Sequence, residues 1–249
     1  MGCATTVKDI GRPETIENRW DILYRDYPEV YDEFTSVPYS KSWIEVAKKL
    51  FSFGNKTIAD IGSGSGISTF EIAGYARLVI GIEPEDAMRE LAVENAKAKK
   101  LENVIFKKGW AESIPLDDNS VDAAIAVTGG NFSSRENISK FISEAERITK
   151  RYGYIIAVNV APRWYGGDLA PVILGKGRTT GLDIEGVADE TLTQMGFSHQ
   201  DYYSIQYYRT VDKIVQTYGF IFGRKAIKYV KEHQKTTINW KFRIHYREV

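Results

Sequence analysis

The sequence predicts an α/β protein built on a doubly wound, mostly parallel sheet, and three observations predict it. Residues Thr57 to Glu83 read as strand, glycine turn, helix and strand, a βαβ unit. Short apolar runs recur afterwards, at Asn103–Phe106 and Ala123–Val127, interleaved with stretches of helical period. At 249 residues, with 43% hydrophobic and 27% charged side chains, the chain can bury one full core.

Residues 1–40 are polar yet carry Trp20, Tyr24, Tyr27, Tyr31, Phe34 and Tyr39. Trp20, Tyr24, Tyr27 and Tyr31 fall on one face of a helix that Pro28 kinks or restarts, which reads as an amphipathic helix packed on the domain. Ser42 to Glu45 has the pattern of a capping box, and Trp43, Val46, Ala47 and Leu50 then repeat at helical spacing. Thr57–Ile61 is an apolar strand carrying one acid, Asp60, before the turn Gly62-Ser63-Gly64-Ser65-Gly66. Glycine has no Cβ, so a ligand can approach the main chain there. The turn opens a helix over 67–76, whose free N–H groups and positive dipole end suit an anionic group. Leu78–Ile82 is the second strand, closed by Glu83, whose carboxylate can accept from two ribose hydroxyls. The unit is laid out for a nucleotide-like ligand. A dinucleotide fingerprint, G-x-G-x-x-G, would need glycine at position 67, where Ile67 stands. An NAD-linked oxidoreductase is disfavoured on that ground.

Pro84 suits the first position of the next helix, with Glu85 and Asp86 at its positive end and Met88, Leu91, Ala92 and Asn95 on one face. The third strand runs into Gly109–Leu116. The fourth ends in Thr128-Gly129-Gly130-Asn131, and in an open parallel sheet such an end faces the ligand. Ile138, Phe141, Ile142, Ala145 and Ile148 form the stripe of the following helix. Residues 161–187, which include Trp164, are glycine-rich and aperiodic, and read as a lid or binding loop. Thr191–Phe197 ends another helix, Asp201–Tyr208 is an aromatic strand, and Thr237–Tyr246 alternates as the last one. Between them, 210–235 holds a helical stripe broken by Gly219 and Gly223, a second possible lid element. With no internal repeat or linker, the chain reads as one domain, 1–249.

Lys+Arg and Asp+Glu are both 33, so no net field argues for nucleic acid or a membrane surface. No apolar run reaches the length of a membrane span. The single cysteine, Cys3, excludes an intrachain disulfide and a cysteine zinc cluster, which points to a reducing, cytoplasmic home. The histidines, His199, His233 and His245, show no metal-ligand spacing with acids, so no metal is expected. The C-terminal segment is locally basic, with Arg224, Lys225, Lys228, Lys231, Lys235, Lys241, Arg243 and Arg247. It reads as a solvated face first, and as a contact for an anionic substrate, membrane headgroups or RNA second.

The D-x-G-x-G-x-G pattern of Asp60–Gly66 resembles motif I of the class I S-adenosylmethionine-dependent methyltransferases. GWAESIPL at 109–116 followed by DDNSVD at 117–122 is similar to that family's third-strand motif, and EAERITKRYG at 144–153 to its helix-to-strand-five turn. The resemblance covers roughly 56–197 and is nearest to the type 11, ubiquinone/menaquinone-biosynthesis-like branch. It implies a Rossmann-like sheet of seven strands with an antiparallel last strand, here with the N-terminal cap and a helical insertion before that strand. The implied cofactor is S-adenosylmethionine, leaving as S-adenosylhomocysteine. Asp60, Gly62, Ser63, Gly64 and Gly66 would form the turn under its methionine part, and Glu83 with Pro84 would meet the ribose. Trp110, Ala111 and Glu112 would border the adenine, although Trp110 stands where the family has an aspartate and offers no acceptor. Thr128 would lie near the transferring methyl. Tyr24, Tyr31, Tyr39, Asn131 and Trp164 are the candidates for holding the methyl acceptor; no residue is singled out as a general base. The expected function is methyl transfer to a small, aromatic or apolar molecule. The alternatives are a methyltransferase for RNA or protein that uses the basic segment, and a protein that binds the cofactor without methylating.

Overall fold

The computed structural model describes residues 12–130, 132–175 and 184–249. Among these the chain forms one seven-stranded sheet in the order β3-β2-β1-β4-β5-β7-β6. The strands are β1 (Thr57–Ile61), β2 (Leu78–Ile82), β3 (Val104–Lys107), β4 (Val121–Val127), β5 (Thr149–Val160), β6 (Ser198–Tyr207) and β7 (Thr237–Glu248). β1 pairs in parallel with both β2 and β4, while β7 runs antiparallel between β5 and β6. Six strands therefore point one way and the last one points back.

Short apolar strands form here because both faces are covered. β1 is buried at every position, which is why its sequence reads as a continuous apolar run rather than an alternation. Successive residues of β4 divide between two cores: Ala123 and Ile125 face one, Ala124 and Ala126 the other. The first core lies under the N-terminal helices α1 (Trp20–Asp26), α2 (Pro28–Thr35) and α3 (Trp43–Ala47), and under α4 (Ile67–Ala73), which follows the glycine turn. Helix α5 (Asp86–Ala98) buries Met88, Ala92 and Ala96. The second core holds the buried stripe of α6 (Arg135–Ile148), Ile138, Phe141, Ile142, Ala145 and Ile148. After β5 come α7 (Ala170–Leu174) and α8 (Ile184–Gln194), the latter adding Ala188 and Leu192 to the second core.

The insertion between β6 and β7 is helical. It runs through α9 (Val211–Ile214), a widened π turn (Val215–Gly219), α10 (Phe220–Phe222) and α11 (Arg224–Glu232). The helical path breaks at Gly223, whose φ of +99° no side chain adopts easily. Tyr218 from the π turn is fully buried and donates its hydroxyl to the Gly166 carbonyl at 2.5 Å, joining the insertion to the segment after β5.

Several expected ends move. The helix of β1's turn stops at Ala73 rather than 76, where Gly74 follows. Ser42 makes no cap for α3; its hydroxyl instead donates to Glu71, which also accepts from the Trp43 indole, so the serine fastens α3 to α4. Pro84 precedes α5 rather than opening it, because Glu83 accepts the Glu85 N–H and Glu85 becomes the residue before the first turn. Of 161–187, a 3₁₀ turn (Gly167–Leu169) and α7 are ordered helix, and 176–183 lies outside the described residues.

Candidate active site

The chain runs outward from β1 through β2 to β3 and then returns to β4 on β1's other side. Ligands of open parallel sheets sit at such a reversal, outside the carboxyl ends of the strands. The turns after β1 and β4 meet here backbone to backbone. A Cβ on Gly62 would sit 2.9 Å from the Gly129 Cα, and one on Gly129 would sit 2.5 Å from the Ile61 carbonyl oxygen. Only a glycine on each side lets the two loops close. Thr128, next to Gly129, holds a φ of +52° and donates its N–H to Val158 at 2.7 Å. A β-branched residue in that region is strained, and such strain gathers at functional sites.

Glu83 leaves the tip of β2 and is 6% exposed. One carboxylate oxygen accepts the Gly64 N–H at 2.9 Å and the other the Glu85 N–H at 2.9 Å. Burial raises its pKa and these two N–H groups oppose the rise. Each oxygen keeps a further lone pair, and the residue lines the cavity beside it. Asp60 lies deeper, fully buried. Its Oδ2 accepts from Ser68 at 2.8 Å and Thr69 at 2.6 Å, while Oδ1 has no partner among the described residues. Burial pushes its pKa up to about 6. Asp60 therefore braces the start of α4 beneath the turn rather than facing the cavity.

Two adjoining cavities of about 590 and 600 Å³ open at this end of the sheet and share Tyr31, Tyr39, Gly62 and Thr128 in their walls. Ser63 and Ser65 line the first, with buried hydroxyls that have no partner among the described residues. Gly64, Glu83, Pro84 and Met88 line the second, which continues into an aromatic chamber of Trp20, Tyr24, Phe34, Tyr165, Phe222 and Trp240. Helices α1 and α2 thus close over the turn. The Tyr31 ring lies so close that a Cβ on Gly64 would meet its Cε1 at 3.3 Å. Burial raises the pKa of Tyr24 and Tyr39 and pushes that of Tyr31 up to about 12, with Glu83 the next contributor for Tyr31. All three phenols are protonated near neutral pH.

Not every expected residue reaches the cavities. Gly66 caps α4 in the left-handed conformation and stands behind the turn. Trp110 is 53% exposed, because its backbone closes a tight turn with Ser113 that turns the indole outward. Ala111 packs against the second core instead. Glu112 lies near Lys140 of α6 and raises its pKa; none of the three lines either cavity. Trp164 packs its ring against Tyr203 of β6, 5.9 Å away, and also lies outside them. Asn131 falls outside the described residues. Asn159, Phe222, Trp240 and Phe242 line the second cavity without having been singled out, since their convergence depends on β5, β7 and the insertion meeting in space.

The fold also gathers a group that the sequence spacing conceals. Asp189 of α8 and His199 and His245 of β6 and β7 bring potential ligand atoms within 4.8 Å of one another. His199 and His245 are register partners across the two strands. Arg243 takes the same Asp189 oxygen at 2.7 Å that His245 Nε2 meets at 2.9 Å. A guanidinium there neutralises the carboxylate and opposes a cation.

Comparison with known proteins agrees with this geometry. Residues 59–157 match the family model described as a methyltransferase domain of type 11. The uncharacterised methyltransferase YcgJ of Bacillus subtilis is 31% identical over 102 residues, covering 41% of this chain and 40% of YcgJ. The ubiquinone/menaquinone biosynthesis C-methyltransferase UbiE of Zymomonas mobilis is 29% identical over 110 residues, covering 44% of this chain and 45% of UbiE. The chain thus spans less than half the length of these relatives. In structure, YcgJ superposes with a TM-score of 0.57 at 18% identity over 81% of this chain and 94% of YcgJ. The [4+2]-cyclase SpnF superposes with a TM-score of 0.55 at 19% identity, over 93% of this chain and 95% of SpnF. These likenesses show the fold.

Proposed function

We propose that the chain, whose residues 59–157 match a methyltransferase domain model, transfers a methyl group from S-adenosylmethionine to a small, apolar or aromatic acceptor. The observation that carries this reading is Glu83, held at the tip of β2 by two backbone N–H groups and facing a cavity beside the glycine turn. The residues present fit the cofactor. Glu83 has lone pairs left for ribose hydroxyls. Gly62, Gly64, Pro84 and Thr128 supply the wall, and Asp60 holds the turn from below.

When bound, the cofactor supplies a methyl already activated on a sulfonium. The protein's task is then chiefly orientation, which alone can lower a barrier by about 7–11 kcal/mol in the best cases. Tyr24 and Tyr31, their rings 5.1 Å apart edge to face, and the acids Glu83 and Glu85 make a surround that favours a cation. Trp20, Phe222 and Trp240 exclude water from the acceptor side. Of the ionisable side chains in this chamber, none among the described residues is a histidine, lysine or arginine. Proton loss from the acceptor then falls to the carboxylates Glu83 and Glu85 or to solvent, so an acceptor with a weakly held proton, such as a phenol, quinol or enolisable ketone, suits it.

The same fold serves a cyclase in SpnF, so fold alone does not decide the chemistry. Formation of S-adenosylhomocysteine does. The purified protein, given S-adenosylmethionine and a panel of neutral phenols, quinols and enolisable ketones, should form S-adenosylhomocysteine with at least one of them. Binding of the cofactor without any such product across the panel would instead support a protein that binds without methylating.

A further inference from the structure

The two cavities that meet at the glycine turn differ in charge. Glu83 and Glu85 stand in the wall of the second, which holds no lysine, arginine or histidine among the described residues. The wall of the first holds Lys41 and Lys99. Its carboxylate, Glu71, accepts from Ser42 with one oxygen and from the Trp43 indole with the other, so both oxygens are engaged between α3 and α4.

Lys41 is fixed by the edge of the sheet. Its N–H donates to Ser204 Oγ at 3.1 Å, and that hydroxyl donates to the Lys41 carbonyl at 2.8 Å. Beside it, the Ser40 N–H donates to the Ile205 carbonyl at 2.8 Å. The lysine is half-buried, and its ammonium stands 5.8 Å from the centre of the Tyr202 ring. That ring stacks on Phe242 at 5.3 Å, and Phe242 meets Tyr39 edge-on at 6.0 Å. All three rings line the first cavity. Among the described residues no carboxylate pairs with the Lys41 ammonium, whereas Lys241 of β7 pairs with Asp201 at 2.7 Å. Lys99 lies over the Phe70 ring at 5.7 Å, again without an acid partner there. A half-buried cation above aromatic rings and without a counter-ion suits an anion carried on a flat, apolar body.

We propose that the first cavity seats an acidic end of the methyl acceptor, an aromatic carboxylate whose charge meets Lys41 while its ring lies against Tyr39, Tyr202 and Phe242. This rests on the methyltransferase reading. The acceptor reaches the cofactor across the wall that the cavities share, at Tyr31, Gly62 and Thr128. Charge is then sorted along the site, with the sulfonium beside Glu83 and Glu85 and the carboxylate beside Lys41. The acid adds affinity to a body that the rings already hold, so a neutral analogue binds more weakly rather than not at all.

The test uses 2-naphthoate and 2-naphthamide, nearly isosteric probes that differ in charge. Each is titrated calorimetrically into the full chain saturated with S-adenosylhomocysteine, for the parent, Lys41→Met and Lys41→Arg. The parent should bind the carboxylate about tenfold more tightly than the amide, the order of one charge-assisted hydrogen bond, and the preference should shrink as salt is raised. Lys41→Met should lose the preference and Lys41→Arg should keep it, with affinity for S-adenosylhomocysteine within about twofold of the parent in both. Equal binding of the two probes by the parent, binding of neither, or a preference that survives in Lys41→Met would overturn the assignment. So would a large loss of S-adenosylhomocysteine affinity in Lys41→Met, which would give Lys41 to the cofactor's own carboxylate. A parent that does not bind S-adenosylhomocysteine yet still prefers the naphthoate would overturn the methyltransferase reading and leave the cavity as a site for aromatic acids.

Discussion

Glu83 ties two parts of the site together, since the same carboxylate that faces the cavity also accepts the N–H of Gly64 in the turn. Glu83→Ala should therefore weaken S-adenosylmethionine binding by about 1–3 kcal/mol, the cost of leaving buried polar partners unmatched. Calorimetry reads this directly, and unchanged affinity would remove Glu83 from the ribose. Asp60 gives a second prediction, with a definite sign. Its pKa is raised to about 6 from 3.8 by burial. The folded state thus holds a proton that the unfolded chain has already released, so Asp60 costs stability as pH climbs from about 4 to about 6. Asp60→Asn removes the titration. Its stability relative to the parent should rise across that window by about 2–3 kcal/mol, followed by denaturant unfolding at each pH. A flat difference curve would contradict the buried charge. Trp110→Ala should leave cofactor affinity within about twofold, because a half-exposed indole outside the cavity wall touches nothing there. Asp60 and Glu83 were legible because their positions at strand tips follow from the local pattern. The family resemblance put Trp110 beside the adenine, whereas a tight turn with Ser113 leaves its indole half-exposed outside the cavities. Asn159 gave no signal, because its place in the cavity wall is a property of the folded surroundings.

Helix α2 and the glycine turn act as one piece at the scale of elements. Gly64 holds a φ of +54°, and a Cβ there would lie 3.3 Å from Tyr31 and 3.4 Å from Met88. Gly64→Val should abolish measurable cofactor binding and loosen α2, visible as faster amide exchange over 28–35. Protection equal to the parent's would mean that the turn and cap are independent. β1 and β2 were readable to the residue because glycine and an acid punctuate them. The helix ends were harder. Ser42 has the right neighbours for a cap, yet Glu71 from α4 offers its hydroxyl a better partner. Pro84 could open a helix, but Glu83 captures the next N–H first. In each case a side chain from elsewhere outcompeted the local rule.

Across the whole molecule, the sheet order puts β1 and β4 side by side and so creates the crevice that the proposed function uses. The helical insertion before β7 and the N-terminal helices close it from above, with Trp20 against Phe222 at 5.8 Å joining the two. The basic C-terminal tract looks different once folded. Lys235 pairs with Asp168 at 2.9 Å, Lys241 with Asp201 at 2.7 Å, Arg243 with both Asp201 and Asp189, and Arg247 with Glu146. Those acids come from distant parts of the chain, which is why the tract read as unbalanced. On α11, by contrast, Arg224, Lys225, Lys228 and Lys231 stay exposed. Calorimetric titration with S-adenosylmethionine, S-adenosylhomocysteine and NAD tests the proposed cofactor site at the β1–β4 reversal. Binding of the first two in the micromolar range, about −8 kcal/mol, and none of NAD is expected. Binding of NAD, or of none of the three, would contradict it.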